Sequence, residues 1–273
     1  MKISEIIEAL KAYHPPVDEE HTCDVVKYGD PDQECTGIAV SCFPSVEVIR
    51  KAASLGANFL LIHEPLFWND RDETDWLQND PIFAEKKALL DETGMVVWRD
   101  HDHLHGGGPH DKGAPDMVFQ GIMHELGWED YLIGSANKPL LYEIPETDAE
   151  TLGRELCEKL HLNGLRLVGD RNTKIRKVFF VEHISDRGPW ERKKILRLME
   201  EGIDAVIPFE TVDWSMNAYI RDACALGHPM VMFNAGHFNM EELGTKYMLS
   251  YLSSLVGDTP VHHVFSGDAF DYL

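Results

Sequence analysis

The chain has 273 residues, enough for one large α/β domain or two smaller ones. Its 47 acidic against 25 basic side chains give a formal net charge of −22, which disfavours nucleic-acid binding through phosphate neutralisation and reads instead as a solvated acidic surface. No run of about 18 apolar residues occurs, the N-terminus opens an amphipathic helix rather than a signal peptide, and the five scattered cysteines form no CxxC pair. The expectation is a soluble, cytoplasmic protein in a reducing compartment, with no membrane and no nucleic-acid partner.

Short β-like runs alternate with helical stretches along the whole chain, which predicts an α/β fold. A helix over residues 4–13 is followed by a buried strand over 37–42 and a helix over 46–55, capped by Ser45 and stopped by Gly56. A strand over 58–62 then runs straight into His63-Glu64-Pro65. Asp80 and Pro81 open a helix that ends at Gly94, and the strand of residues 95–98 leads to His101. In the second half, strands are expected near 140–144, 165–168, 178–181, 204–209, 229–233 and 261–265. Helices are expected over 148–160, 189–201, 214–226 and 239–255. The turn-rich loop 134–139 is the best boundary.

Three polar clusters each begin where an apolar strand ends, the edge of an α/β sheet where ligand sites form. The first is His63-Glu64, whose two side chains meet one site only if the chain bends, as Pro65 favours. The second is His101-Asp102-His103-Leu104-His105, in which an extended chain points all three imidazoles one way and a helical turn aligns His101 with His105. The third is Gly236-His237 with Glu241, an i,i+4 pair at a helix start. Taken singly, each is more often a packed or surface group; three at three sheet edges make a shared metal site the better reading. Imidazole with carboxylate and no thiolate suits zinc, iron or manganese, and the donor supply admits two divalent ions. His110, Asp111, His124, His161, His183 and His228 are read as surface or packing residues, and His262-His263 as structural. No GxGxxG, Walker loop or GxSxG elbow is present.

These segments resemble the Nif-three-like dimetal-binding family, whose members are often named GTP cyclohydrolase type 2 homologues. Residues 57–68 are similar to its "dliitHHPlff" segment, with His63 on the first His and Glu64 in place of the second. Residues 101–105 are similar to "aHTnlD", with His101 on the His and His105 in place of the metal-binding Asp, so the ligand count is kept. Gly236–Glu241 matches "GHyasE" and carries His237 and Glu241 over unchanged. Residues 165–170 and 202–210 are similar to "vrvvGd" and "gaDayitGE", with Phe209 for a Gly, and Glu182-His183-Ile184-Ser185 stands where a glycine-rich turn is usual. The resemblance implies two α/β domains with mixed sheets, residues 1–138 with 229–273 as a discontinuous metal-binding domain and 139–228 inserted between. It also implies a ring-shaped homohexamer and a dinuclear metal-dependent hydrolase or cyclohydrolase acting on a small, nucleotide-like molecule. The alternative is a non-enzymatic metal-binding scaffold or interaction protein.

Overall fold

The computed structural model describes residues 1–109, 115–136, 138, 140–185 and 188–273. His110 and Asp111, and part of the expected boundary loop, lie outside the described residues. In chain order the first elements are α1 (Ile3–Tyr13), β1 (Val26–Tyr28), β2 (Ile38–Ser41), α2 (Val46–Ser54), β3 (Phe59–Ile62), α3 (Pro81–Thr93), β4 (Val96–Arg99), α4 (Asp102–Gly106) and α5 (Met117–Leu126). Then come β5 (Leu132–Ile133), β6 (Leu141–Asp148), α6 (Ala149–Lys159), β7 (Arg166–Val168), β8 (Lys174–Ile184), α7 (Pro189–Glu200), β9 (Ala205–Thr211) and α8 (Ala218–Ala225). The last are β10 (Val231–Asn234), α9 (His237–Tyr247), α10 (Leu249–Val256) and β11 (Val261–His263).

The local signals act as written. Ser45 caps α2 by accepting from the Val48 amide, Asp80 caps α3 by accepting from the Phe83 amide, and Gly94 ends α3 in the left-handed region at φ 61°. α5 lies between the expected elements and was not anticipated; its apolar residues Val118, Phe119 and Ile122 are all buried. The expected helix over 214–226 starts later, at Ala218, because Ser215 leaves helical dihedrals in the preceding turn. β8 extends well beyond the apolar run 178–181, its first residues alternating exposed and buried as a half-covered strand does.

Contacts divide the chain into two compact units, Met1–Gly121 with Glu241–Gly267, and Ile122–Met240 with Asp268–Leu273. The expected cuts at 138/139 and 228/229 differ from these. β5 pairs with β6, and β10 pairs with β9 and β7, so both flanking segments join the sheet of the middle unit. The first unit is built on a five-stranded sheet in the order β1-β4-β3-β2-β11, parallel except for β1. Ala39, Leu60, Ile62 and Val97 of this sheet form a core with Val48 and Ile49 of α2 and Phe83 and Leu90 of α3. Inside the same unit a Cβ on Gly121 of α5 would meet the Leu243 carbonyl of α9 at 2.2 Å, and one on Gly244 would meet Val118 Cα at 2.7 Å. Only hydrogen at both positions lets the two helices cross at backbone contact, which fixes the height of Glu241 in α9.

The second unit carries a six-stranded mixed sheet, β5-β6-β8-β9-β10-β7, in which β8, β9 and β10 run parallel and the others antiparallel. Its core joins Phe179, Val181, Val206 and Met232 to Leu198 and Ile220 of the covering helices. The protein is thus α/β with two mixed sheets. Among the described residues no helix is long and apolar enough to cross a membrane.

Candidate metal centre

β3 and β4 are register partners up to Ile62 and Arg99, so the chains leaving them run side by side. The His63 and Glu64 amides both donate to the Cys42 carbonyl, at 3.2 and 2.9 Å, which makes the bend that the Pro65 context favours. After β4 the chain enters α4 with His101 at its N-cap, so the helical alternative is the one adopted: His101 and His105 share a face, and His103 turns inward to pair with Asp24. Asp24 holds this turn, accepting from the amides of His101, Asp102 and His103 at 2.8, 3.0 and 2.8 Å.

The three imidazoles of His63, His101 and His105 come together, with ring centroids 4.6 to 5.0 Å apart and one ring nitrogen of each within 4.8 Å of the others. In every ring Nδ1 is already committed. His63 Nδ1 donates to the Asp100 carbonyl at 3.0 Å, His101 Nδ1 to Asp102 Oδ1 at 2.9 Å, and His105 Nδ1 to Asp116 Oδ2 at 2.8 Å. A neutral imidazole that donates from Nδ1 keeps its lone pair on Nε2, the arrangement found in metal-ligating histidines. The Asp102 carboxylate is itself anchored by Thr22 Oγ1 at 2.8 Å and the Cys23 amide at 3.2 Å, and these contacts, with His101 first, hold it well below the usual carboxylate range. Burial lowers the pKa of His101, which favours the neutral, ligating form.

Glu241 completes the group, with Oε2 3.4 Å from His63 Nε2 and Oε1 3.9 Å from His105 Nε2. His63 Nε2 is buried without a hydrogen-bond partner, a costly state for a polar atom unless an ion or water takes it up. Metal bonds of about 2.0–2.2 Å set ligand atoms roughly 3.0–3.6 Å apart, so the 3.4 Å spacing suits two ligands of one ion better than it suits an isolated contact. The donors present fit a divalent cation of the zinc, iron or manganese kind. Glu64, 8% exposed, faces the same group: a carboxylate oxygen of Glu64 and one of Glu241 lie within 4.8 Å, and Arg99 Nη2 stands 3.9 Å from Glu64 Oε2.

The remaining candidate, His237, opens α9 one turn before Glu241 but belongs to the second unit. There it lies with Glu210 and His183. Glu210 Oε1 is 3.1 Å from His183 Nδ1 and Oε2 is 3.5 Å from His237 Nδ1, and the two rings are 5.0 Å apart. His183 and then His237 hold the Glu210 carboxyl well below its ordinary range.

The sequence reading missed several supporting residues. Arg99, 1% exposed, donates Nε to the His63 carbonyl at 2.9 Å and Nη1 to the Asp70 carbonyl at 2.6 Å, clamping the loop that carries His63 and Glu64. An arginine closing an apolar strand was the available signal. Asp116, which also caps α5 through the Val118 amide, is the partner of His105 from eleven residues along the chain and was not singled out.

The model of the family described as Duf34/NIF3 (NGG1p interacting factor 3) matches residues 1–89. A Clostridium perfringens protein named GTP cyclohydrolase 1 type 2 homolog is 23% identical over 249 residues, covering 88% of this chain and 87% of its own. Among solved structures, a Bacillus cereus protein related to NIF3 superposes with a TM-score of 0.75 at 14% identity, covering 100% of this chain and 99% of its own. Reduced HcgD from Methanocaldococcus jannaschii does so with 0.65 at 21% identity, covering 96% and 97%. The family match is confined to the first third of the chain, and the fold is shared with these structures from end to end.

Proposed function

We propose that this protein is a metal-dependent hydrolase or cyclohydrolase-like enzyme acting on a small, nucleotide-like molecule. His63, His101, His105 and Glu241 are its principal ligands, with Glu64 and His237 added by the family resemblance. The observation that carries the reading is the convergence of three imidazoles whose Nδ1 atoms are all spent on outer partners. His63 is fully buried behind the group, whereas the His101 and His105 side chains are 30% and 26% exposed, which gives a substrate a side of approach. A catalytic ion needs such an open side; a structural one is enclosed. When bound, one or two divalent ions supply polarisation of the bond to be cleaved and acidification of water toward neutral pH. The protein's own part is to orient the imidazoles, to hold their tautomers through Asp100, Asp102 and Asp116, and to place the carboxylates of Glu64 and Glu241 as proton acceptors or bridging donors. The nucleotide-like substrate class rests on the name of the Clostridium relative. The homohexameric ring implied by the resemblance goes with this reading, and light scattering on the purified protein tests it.

The deciding experiment is elemental analysis of the purified chain, followed by a hydrolysis screen with GTP and related nucleotides, with the metal found and after its removal. Turnover that requires both the metal and His63 is the expected result. Absence of tightly held metal in protein purified and reconstituted with zinc, iron and manganese would overturn the reading.

A further inference from the structure

The loop that carries His63 and Glu64 runs on to form one wall of a cavity in the first unit. Phe67, Arg71 and Asp72 of that loop, Lys27 of β1, and Phe83 and Lys87 of α3 line a space of about 360 Å3. Small-molecule sites usually enclose roughly 300–1,000 Å3, so this one suits a ligand of modest size.

The cavity has the opposite charge to the rest of the molecule. Its lining holds three cations and one anion in a chain of formal net charge −22. Lys27 Nζ stands 3.3 Å from Asp72 Oδ2, and the two side chains are only 8% and 6% exposed. Asp72 reaches this place from the left-handed region, at φ 56°, which an aspartate tolerates, and its Oδ1 accepts from the Phe67 amide at 2.7 Å. An ammonium carries three donors. Asp72 is the only polar partner of this one among the described residues, so Lys27 keeps donors for a further acceptor in the cavity. Lys87 Nζ lies over the Phe83 ring, 5.8 Å from its centroid, and pairs with no carboxylate among the described residues. Arg71 donates Nη1 to the His21 carbonyl at 3.4 Å and leaves most of its side chain in solvent. Once Asp72 has balanced Lys27, two positive charges remain beside an apolar wall, where Phe67 and Phe83 meet edge to face with ring centroids 4.9 Å apart. A cleft lined by one sign of charge concentrates ions of the other.

We propose that this cavity binds an organic phosphate, a phosphomonoester whose anion is held by Lys27, Lys87 and Arg71 while its ring or other apolar body packs on Phe67 and Phe83. A phosphomonoester carries about two negative charges near neutrality, which matches the two left over; a carboxylate carries one. None of these residues is a metal ligand in the reading above, so the site stands or falls by itself.

The test uses the full chain, freed of metal with a chelator so that no ion can hold the anion, and titrated calorimetrically with phenyl phosphate and with phenol. Phenyl phosphate is expected to bind once per chain, at least tenfold tighter than phenol, and more weakly as salt is raised. Lys87→Gln, on the exposed side of α3, is expected to weaken phenyl phosphate tenfold or more and to leave phenol unchanged, with Arg71→Gln acting in the same direction to a smaller degree. Absence of phenyl phosphate binding to the metal-free wild type, phenol as tight as its phosphate, or an unchanged affinity in Lys87→Gln each overturns the proposal. Binding that appears only with zinc and disappears in His63→Ala puts the anion on the metal, which removes this site and leaves the reading of the metal centre intact.

Discussion

The two donor clusters use the same residue types at the same kind of place, the C-terminal ends of parallel strands, yet they commit the imidazoles differently. In the first unit each ring is pinned through Nδ1 by its own anchor, so orientation is settled before any ion arrives. In the second unit the only carboxylate of the cluster sits at the Nδ1 atoms themselves, between the two rings. Outer partners fix ring and tautomer, so the first cluster is the one whose ring orientations are set in advance.

The largest effect that bears on this contrast is removal of His63 and His105 together, both to Ala. Bound metal is expected to fall by at least one ion per chain, and an unchanged metal-to-protein ratio would take the pinned imidazoles out of the site.

Acid offers the next test, since the first unit carries a buried histidine against the chain that follows His105. His14 is fully buried, donates Nδ1 to the Gly107 carbonyl at 2.8 Å, and has its pKa lowered to about 4, chiefly by burial. The unfolded chain takes up this proton near pH 6.5 and the folded chain only near 4, so stability is full above the first value and falls as pH drops toward the second. The loss is of the order of 3 kcal/mol, at about 1.4 kcal/mol per pH unit. Denaturant midpoints across this range check it, and a His14→Gln chain with an equally steep pH dependence would contradict the assignment.

Smaller is the expected effect of Asp116→Asn, which keeps the shape but takes the charge from the partner of His105. Affinity of the first cluster should fall about 10- to 100-fold, measured by competition with a chelating dye. An unchanged constant would show that the outer anchors do not account for the difference between the clusters. The finest comparison is Glu241→Gln against Glu64→Gln. Glu241 lies 3.4 and 3.9 Å from two imidazoles, whereas Glu64 shares its charge with Arg99. The Glu241 variant should lose more metal at one fixed pH near neutrality; a reversed order would give Glu64 the leading role.

Much of the framework was legible because hydrophobic period and helix punctuation are local. The apolar runs ending at Ile62 and Arg99 read as buried strands, and Ser45, Asp80, Pro81 and Gly94 marked their helix ends. β1 and α5 escaped notice because short or evenly apolar segments show no clear period, and α4 was one of two alternatives for residues 101–105. His183 was read as an ordinary polar residue for a related reason: within its own strand nothing distinguishes it, and its partner Glu210 is reached only across the sheet.

By itself the sequence determined the α/β class, the strand ends at which His63, His101 and His237 stand, and the one-turn spacing of His237 and Glu241. The tertiary structure alone decided which ring nitrogen of each histidine is anchored, which carboxylates pair with which rings, and where the two units divide. Period and capping depend on neighbours within a turn of chain, whereas His63 finds Asp100 across 37 residues and Thr22 finds Asp102 across 80. Partners so distant are chosen by sheet register and helix packing, which no local pattern encodes.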